Sequence, residues 1–530
     1  MKRLILLAAV GLALVAEACG GGSNGTPPPP VGGFTNASLK GNYAFSMTGQ
    51  DGNGQFITRA GSFIADGNGG ISNALEDVDD AGAISTVSFT QGGSYSIQAN
   101  GTGTLTLSSA AGSGLQCSIS LSNAAPAGKG LMIQIDLSST SSGSFSQQDL
   151  GAFSQPFAAS NYVFDFSGVD SIGAPISYVG EVSTNGAGSI GSGVLDRNDG
   201  GNVNDPSGPL AINAGGSYQP DNTAGNAANF GRGTFTFAGL SFAFYPVDQT
   251  HAKMVQIDGS SFTSGDAFQQ TGAIPTQVSG FTGSFVYLVG GSTLSQGTAV
   301  TRAARFTADG NGNLTTIRFD QNSNGGLLCV DPSDSACAPS ATGTYTMDST
   351  GGRGTLSVQI PGQTASINDV FYLISPTSAF VQDISTSVVA DGTMPGQSGS
   401  FSSSSLAGNY IFNLTGQVLP SNGNVGFEED FVGQYALSSS ATTNISGVSD
   451  FVELGSTANR VPAFLNIPIS GTLKLNGDGT LRNGYQIVTG NSPSTTINFA
   501  AYLVSPQQAI LIGIGNNRVT VGTVLSQQAP

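Results

Sequence analysis

Four oxygen-bearing residues in one stretch have the spacing of a calcium loop. In FTADGNGNLT, Asp309, Asn311 and Asn313 stand at its first, third and fifth positions, and Asp320 falls at the twelfth. Side-chain oxygens at that spacing can wrap a hard divalent cation, provided a glycine at the sixth position makes the sharp turn. Leu314 occupies that position, and the earlier copy FIADGNGGIS (Phe63 to Ser72) has Gly70 for the fifth ligand and Ile71 at the sixth. The four residues are therefore imperfect calcium candidates. The simpler expectation is a hairpin turn, because Asp-Gly and Asn-Gly accept the positive φ that tight hairpins need.

Carboxylates also cluster at Glu76, Asp77, Asp79 and Asp80, and at Glu428, Glu429 and Asp430. Two acids held across a cleft would suit glycoside hydrolysis. Both clusters instead lie in strand-then-turn segments, which predicts solvated loop tips and leaves a glycan-active enzyme as the third functional choice. His251, the one histidine, sits in PVDQTHAKM with no nucleophile and base beside it, and reads as an exposed loop residue. The repeated Gln-X-Asp of Gln134 with Asp136 and Gln256 with Asp258 reads as outward decoration or a cross-strand hydrogen bond. No glycine run opens a helix with a Lys-Ser/Thr ending, so phosphate binding is not indicated. No cofactor is expected.

The cysteines point to an exported chain. Cys329 and Cys337 bracket VDPSDSA, a bend that brings them together, and in an oxidising compartment they are expected to pair. Cys117, in LQCSISL, reads as a buried inert thiol. Cys19 follows MKRLILLAAVGLALVAEA, in which Lys2 and Arg3 precede an apolar run and small residues, the pattern of an export signal. Ala18 before Cys19 resembles the lipobox of bacterial lipoproteins, which implies acylation of Cys19 and a membrane anchor. Ala16-Glu17-Ala18 also satisfies ordinary signal cleavage, which would leave a secreted or periplasmic protein. Gly20 to Thr26 and Pro27 to Pro30 then form a flexible and polyproline tether.

The elements that must position all of these residues are strands, and they repeat. GNYAF (Gly41 to Phe45) returns as NYVF (Asn161 to Phe164), GSFVY (Gly283 to Tyr287) and GNYIF (Gly408 to Phe412), a pitch of roughly 120 residues. GGSYSIQANGTGTLTL, from Gly92, has partners from Gly215 and Gly343 and a shortened one from Gly471. Each unit closes on hydrophobic strands and a glutamine, read as Gln147, Gln269, Gln397 and Gln527. Alternation such as Tyr95 and Ile97 against Ser96 and Gln98 predicts strands with one buried and one wet face. Six glycine-bearing turns in the first unit give seven or eight strands, each paired with its sequence neighbour. A meander of that length hides its edges by closing.

The expected fold is thus all-β, with tandem up-and-down antiparallel barrels of about eight strands each; immunoglobulin-like sandwiches are the alternative. The units are 1–18 signal peptide, 19–35 tether, and β repeats 36–150, 151–271, 272–397 and 398–530. Bulky inward residues such as Phe164, Phe166, Phe235 and Phe244 predict filled barrels. The chain resembles the Gly/Ser-rich repeat lipoproteins of bacterial cell surfaces such as those of Acidobacteria, which have no assigned activity; the resemblance rests on the lipobox-like start and the repeats. Composition agrees with export: 9% charged residues, 77 glycines, no tryptophan and a net charge of −17. That charge repels nucleic acid and anionic lipid. The expected function is a noncatalytic, exported envelope protein that presents four barrels in a row to an unknown surface or matrix partner. The alternative is a carrier of small apolar ligands.

Overall fold

The computed structural model describes residues 33–109, 114–123, 128–136, 138–204, 208–295, 297–419, 427–439, 443–454, 461–490 and 494–528. The expected signal peptide, Cys19 and most of the expected tether lie outside them. The chain is all-β and forms four eight-strand antiparallel barrels in tandem. Each ring closes because its first strand pairs with both its second and its last. Lys40–Asp51 pairs with Ser139–Gln147, Ala159–Asp170 with Ser261–Gln269, Thr282–Thr293 with Val388–Pro395, and Gly408–Val418 with Arg518–Gln527. That closure excludes the sandwich, whose two sheets would keep free edges.

One departure from a plain meander matters for function. In the first three barrels the third strand turns into a short flap outside the ring. Gly70–Asp80 pairs along its second half with Ala83–Ser88, and only Gly70 and Ile71 reach the next ring strand, Gly93–Ile97. Asn202–Val203 with Leu210–Ile212, and Gly326–Val330, occupy the same place in the second and third barrels. In the fourth barrel, the single long strand Val461–Lys474 runs along the whole third strand, and no flap is present among the described residues. A flap leaves one end of its barrel splayed on that side.

The lumens are packed. Phe157 plugs the second barrel, with the rings of Tyr162, Tyr218, Phe235 and Phe244 all 5.1–5.2 Å from it, edge on. Edge-to-face contacts at that range each add about 1 kcal/mol beyond area burial. In the fourth barrel the void among Tyr410, Tyr435 and Tyr485 is about 20 Å³, room for about one water.

The outer faces are not all wet. The residue between the two aromatics of each first strand (Ala44, Val163, Val286, Ile411) is fully buried. Each packs against a neighbouring barrel: Ala44 with Ala243 and Val255, Val163 with Val370, Val286 with Ile510, and Ile411 with Leu131 and Ile133. The fourth barrel therefore returns to the first. The barrels make a closed ring rather than the expected row, because the alternating aliphatics that read as one core face serve two cores, one inside each barrel and one between barrels.

A repeated polar lock sits at three of the four junctions. Asp77 receives Arg232 Nε at 2.7 Å and Nη2 at 2.8 Å, with Tyr245 OH at 2.7 Å. Asp196 receives Arg353 Nε at 2.7 Å and Tyr372 OH at 2.7 Å. Asp320 receives Arg482 Nε at 2.8 Å and Tyr502 OH at 2.6 Å. Each acid belongs to one barrel and its partners to the next. Asp450 is the fourth copy, and there Ser118 Oγ of the first barrel stands in for Arg and Tyr, while the other oxygen accepts the Asn466 N–H of its own barrel.

A second device is present at every junction: a glutamine at or just after the end of the last strand donates to two carbonyls of the next barrel. Gln148 reaches Phe230 and Pro246, Gln270 reaches Gly351 and Leu373, and Gln397 reaches Thr480 and Leu503. Gln527 closes the ring on Asn100 and Leu121, both at 2.9 Å. The sequence placed the first two of these one residue early, at Gln147 and Gln269, because each stands in a Gln-Gln pair.

Candidate binding site

The splayed end of the first barrel holds a cavity of about 370 Å³. Its floor is made by Arg59, Glu76 and Gln134, and its walls include Ile57, Val78, Leu115, Phe89 and the flap residues Ile84 and Val87. Arg59 Nη1 donates to Glu76 Oε1 at 3.2 Å. The Gln134 amide donates to both Asp136 oxygens at 2.9 Å and to Ser138 Oγ at 3.2 Å. Three atoms of this floor are left over: Arg59 Nε, Glu76 Oε2 and Gln134 Oε1 are buried without a hydrogen-bond partner. Burial pushes the Glu76 carboxyl above its usual range, against the pull of Arg59. An unpaired polar group under a protein surface costs about 1–3 kcal/mol, so three together at one floor call for an explanation.

The same position in the second barrel carries different side chains, and its glutamine is satisfied. Met47 faces Arg59 across the first two strands, and Phe166 faces Tyr178 in the second barrel. Gly61 faces Glu76, and Gly180 faces Leu195. Tyr178 and Leu195 thus stand where the first barrel has Arg59 and Glu76. The matching glutamine, Gln256, has its oxygen taken by Ser261 Oγ and Thr263 Oγ1, both at 2.8 Å. In the third barrel the corresponding Arg302 is committed to Gln321 at 2.8 Å and to Asp383, beside a smaller cavity of about 170 Å³.

A second space lies where the ends of the first strands of the four barrels meet. It is about 790 Å³ and is reached by Gln50, Gly168, Gly290 and Gln417, one from each barrel. Asp391 borders it and hydrogen-bonds with Asp165 of the neighbouring barrel, and burial raises both carboxyls. Two acids this close share a proton.

The residues singled out by sequence fall as follows. Asp309 Oδ1 accepts the N–H groups of Asn311 at 2.7 Å and Asn313 at 3.0 Å, and Oδ2 accepts the Asn313 amide at 2.9 Å. The motif is a turn closed by its own aspartate. Asp320 is not with it: it lies in the lock with Arg482 and Tyr502, so the four calcium candidates do not converge. Among the described residues, no group of three or more His, Cys, Asp or Glu side chains is placed to hold a metal ion.

The acidic clusters are not loop tips. Glu76, Asp77 and Asp79 are buried, and so are Glu428, Glu429 and Asp430. Glu429 pairs with Arg518 and accepts from Thr520 at 2.9 Å. His251 is not an exposed loop residue but opens strand His251–Gln256; its Nε2 lies 2.7 Å from Asp266 and its ring stacks on Phe268. Cys329 and Cys337 are bridged. Cys117 is buried, and burial pushes its thiol well up. Gln134 and Gln256 are buried rather than decorative.

Sequence reasoning passed over Arg59, Arg232, Arg353 and Arg482. The usable signal was scarcity: with only 16 Lys and Arg in the chain, an arginine inside a strand needs a buried partner.

No protein-family model and no curated protein matches the chain. Among solved structures it is similar to a point mutant of the vaccine antigen transferrin binding protein B from Haemophilus parasuis Hp5, at 11% identity, covering 76% of this chain and 84% of that one, with a TM-score of 0.19. It is similar to the isotype 1 protein of that name from serogroup B Neisseria meningitidis at 11% identity, covering 75% and 84%, with a TM-score of 0.20. A Nostoc punctiforme protein of unknown function matches at 8% identity, covering 47% and 98%, with a TM-score of 0.15. At these scores nothing about ligand or location follows for this chain.

Proposed function

We propose that this chain is a noncatalytic binding protein of the bacterial envelope, exported by its first 18 residues and anchored through a lipid on Cys19. One observation carries the noncatalytic reading: the residues most able to do chemistry are committed to structural contacts within and between barrels. Asp77 serves a lock, the His251 ring is taken by Asp266 and Phe268, and Glu429 is paired with Arg518. A ring with filled lumens and short Gly turns is a rigid platform for loops, which suits adhesion or matrix contact. The address rests on the export-signal pattern, the lipobox-like Ala18-Cys19 and the resemblance to Gly/Ser-rich surface lipoproteins.

Mass spectrometry of the mature protein tests the anchor: acylated Cys19 as the first residue is expected, and a Cys19→Ser chain should appear in the medium. An unprocessed, cytoplasmic protein would end the reading. A second reading, carriage of a small ligand, is favoured by the cavity of the first barrel rather than by any barrel interior.

A further inference from the structure

We infer that the splayed mouth of the first barrel is a binding site for a small, neutral, polyhydroxylated molecule, a mono- or disaccharide in chemical class. The inference deepens the carrier reading and does not depend on where the protein resides. Its basis is the contrast between two copies of one structure in one chain. In the second barrel, Tyr178 and Leu195 occupy the mouth, and Gln256 has both ends satisfied. In the first barrel, Arg59 and Glu76 replace them, about 370 Å³ stays open, and one donor and two acceptors lack partners. Ordinary small-molecule sites begin at about 300 Å³, so the volume suits a ligand of one or two sugar rings.

The chemistry of the leftover atoms selects the ligand. Arg59 Nε needs an acceptor, while Glu76 Oε2 and Gln134 Oε1 need donors. A hydroxyl is both donor and acceptor, so adjacent hydroxyls on one ring can answer all three. An anion is disfavoured, because Arg59 is already neutralised by Glu76 and the rim carries Asp80. A purely apolar ligand would leave the floor unpaired. Ile57, Val78, Ile84 and Phe89 offer apolar surface for the C–H face of a ring. The side chains that carry these three buried atoms line the cavity, and binding requires Glu76 and Gln134 to rotate so that the atoms meet the ligand.

The test uses the full chain and a panel of neutral mono- and disaccharides, read by calorimetric titration and by the shift in melting midpoint. At least one sugar should bind with micromolar to low-millimolar affinity, and the anionic sugars glucuronate and glucose 6-phosphate should bind at least tenfold more weakly. Arg59→Tyr with Glu76→Leu gives the first barrel the residues of the second, a combination this scaffold already tolerates; binding should fall at least tenfold. Ile84→Trp narrows the mouth from the flap without touching the floor and should also weaken binding. If no neutral sugar binds, or if binding survives both variants, the inference is wrong. Failure here leaves the envelope reading intact, because that reading is tested on Cys19 and on location.

Discussion

Replacing Gln527 with alanine tests whether the four barrels close on themselves. Its amide nitrogen makes two hydrogen bonds, to the carbonyls of Asn100 and Leu121, both at 2.9 Å, and its oxygen makes none. Removing the side chain therefore deletes two bonds worth about 1 kcal/mol each and leaves two carbonyls at a covered interface, for a total of about 2–4 kcal/mol. Gln270 makes the same pair of bonds at an interior junction, to Gly351 and Leu373 at 3.0 and 2.8 Å. A closed ring predicts that Gln527→Ala and Gln270→Ala cost about the same. For a cooperative unit the size of one barrel, this corresponds to a fall in melting midpoint on the order of 10 °C.

Differential scanning calorimetry of the two variants decides the matter. A row of barrels would leave Gln527 against solvent, so a loss at Gln270→Ala with none at Gln527→Ala would refute closure. Gln527→Glu should be worse than alanine at neutral pH, since it turns a carboxylate toward two carbonyl oxygens.

Four further outcomes are expected. Asp320→Ala, which strips Arg482 and Tyr502 of their shared acceptor, should destabilise the third junction by about 3–5 kcal/mol in chemical denaturation, as removal of one partner from a buried ion pair does. Burial raises Asp79 to about 6 and Glu181 to about 7, and it also raises Asp391 and Asp430. Such acids hold more protons folded than unfolded, so their stabilising effect is complete below about pH 4 and is lost as pH climbs through 6 and 7. The melting midpoint should therefore fall between pH 5 and pH 8, and Asp430→Asn should reduce that fall. The bridge between Cys329 and Cys337 spans a sequence separation of 8, and replacing both by serine should cost about 2–3 kcal/mol by the loop-entropy relation. Adding a chelator should leave the melting midpoint unchanged, because the Asp309 turn is closed by its own hydrogen bonds.

The strands, the turns and the fourfold repeat were legible because each rests on local physics: alternation decides which side chains face the lumen, and glycine decides where hairpins reverse. The ring was not legible, because its partners stand 155 to 162 residues apart at the three arginine locks and 332 to 427 apart at the closing junction, and local patterning is blind to such pairs. Asp77, Asp196 and Asp320 look like solvated acids until Arg232, Arg353 and Arg482 are set beside them. The small aliphatics Ala44, Val163, Val286 and Ile411 were visible between their aromatic neighbours, but a second buried face on a strand has no signature beyond that lack of polarity. Of the candidate site, Glu76, Asp80 and Gln134 were singled out, the two acids as solvated loop tips and the glutamine as outward decoration or a cross-strand hydrogen bond. A carboxylate in a charge-poor strand was taken to be wet, when in such a chain it is the buried, paired position that the rarity of charge should suggest.

Because Gln527 rests near Phe34 against Gly101, the beginning of the first barrel and the end of the last lie side by side at the junction that lacks the arginine and tyrosine. The order in which the four barrels are encoded is then largely arbitrary. A rearranged gene that starts at Gln155, so that Phe157 stays with its barrel, runs through Gln528, and continues by a short linker into Phe34 should assemble the same object, with its new opening placed where the Arg232 contact would have to hold it shut.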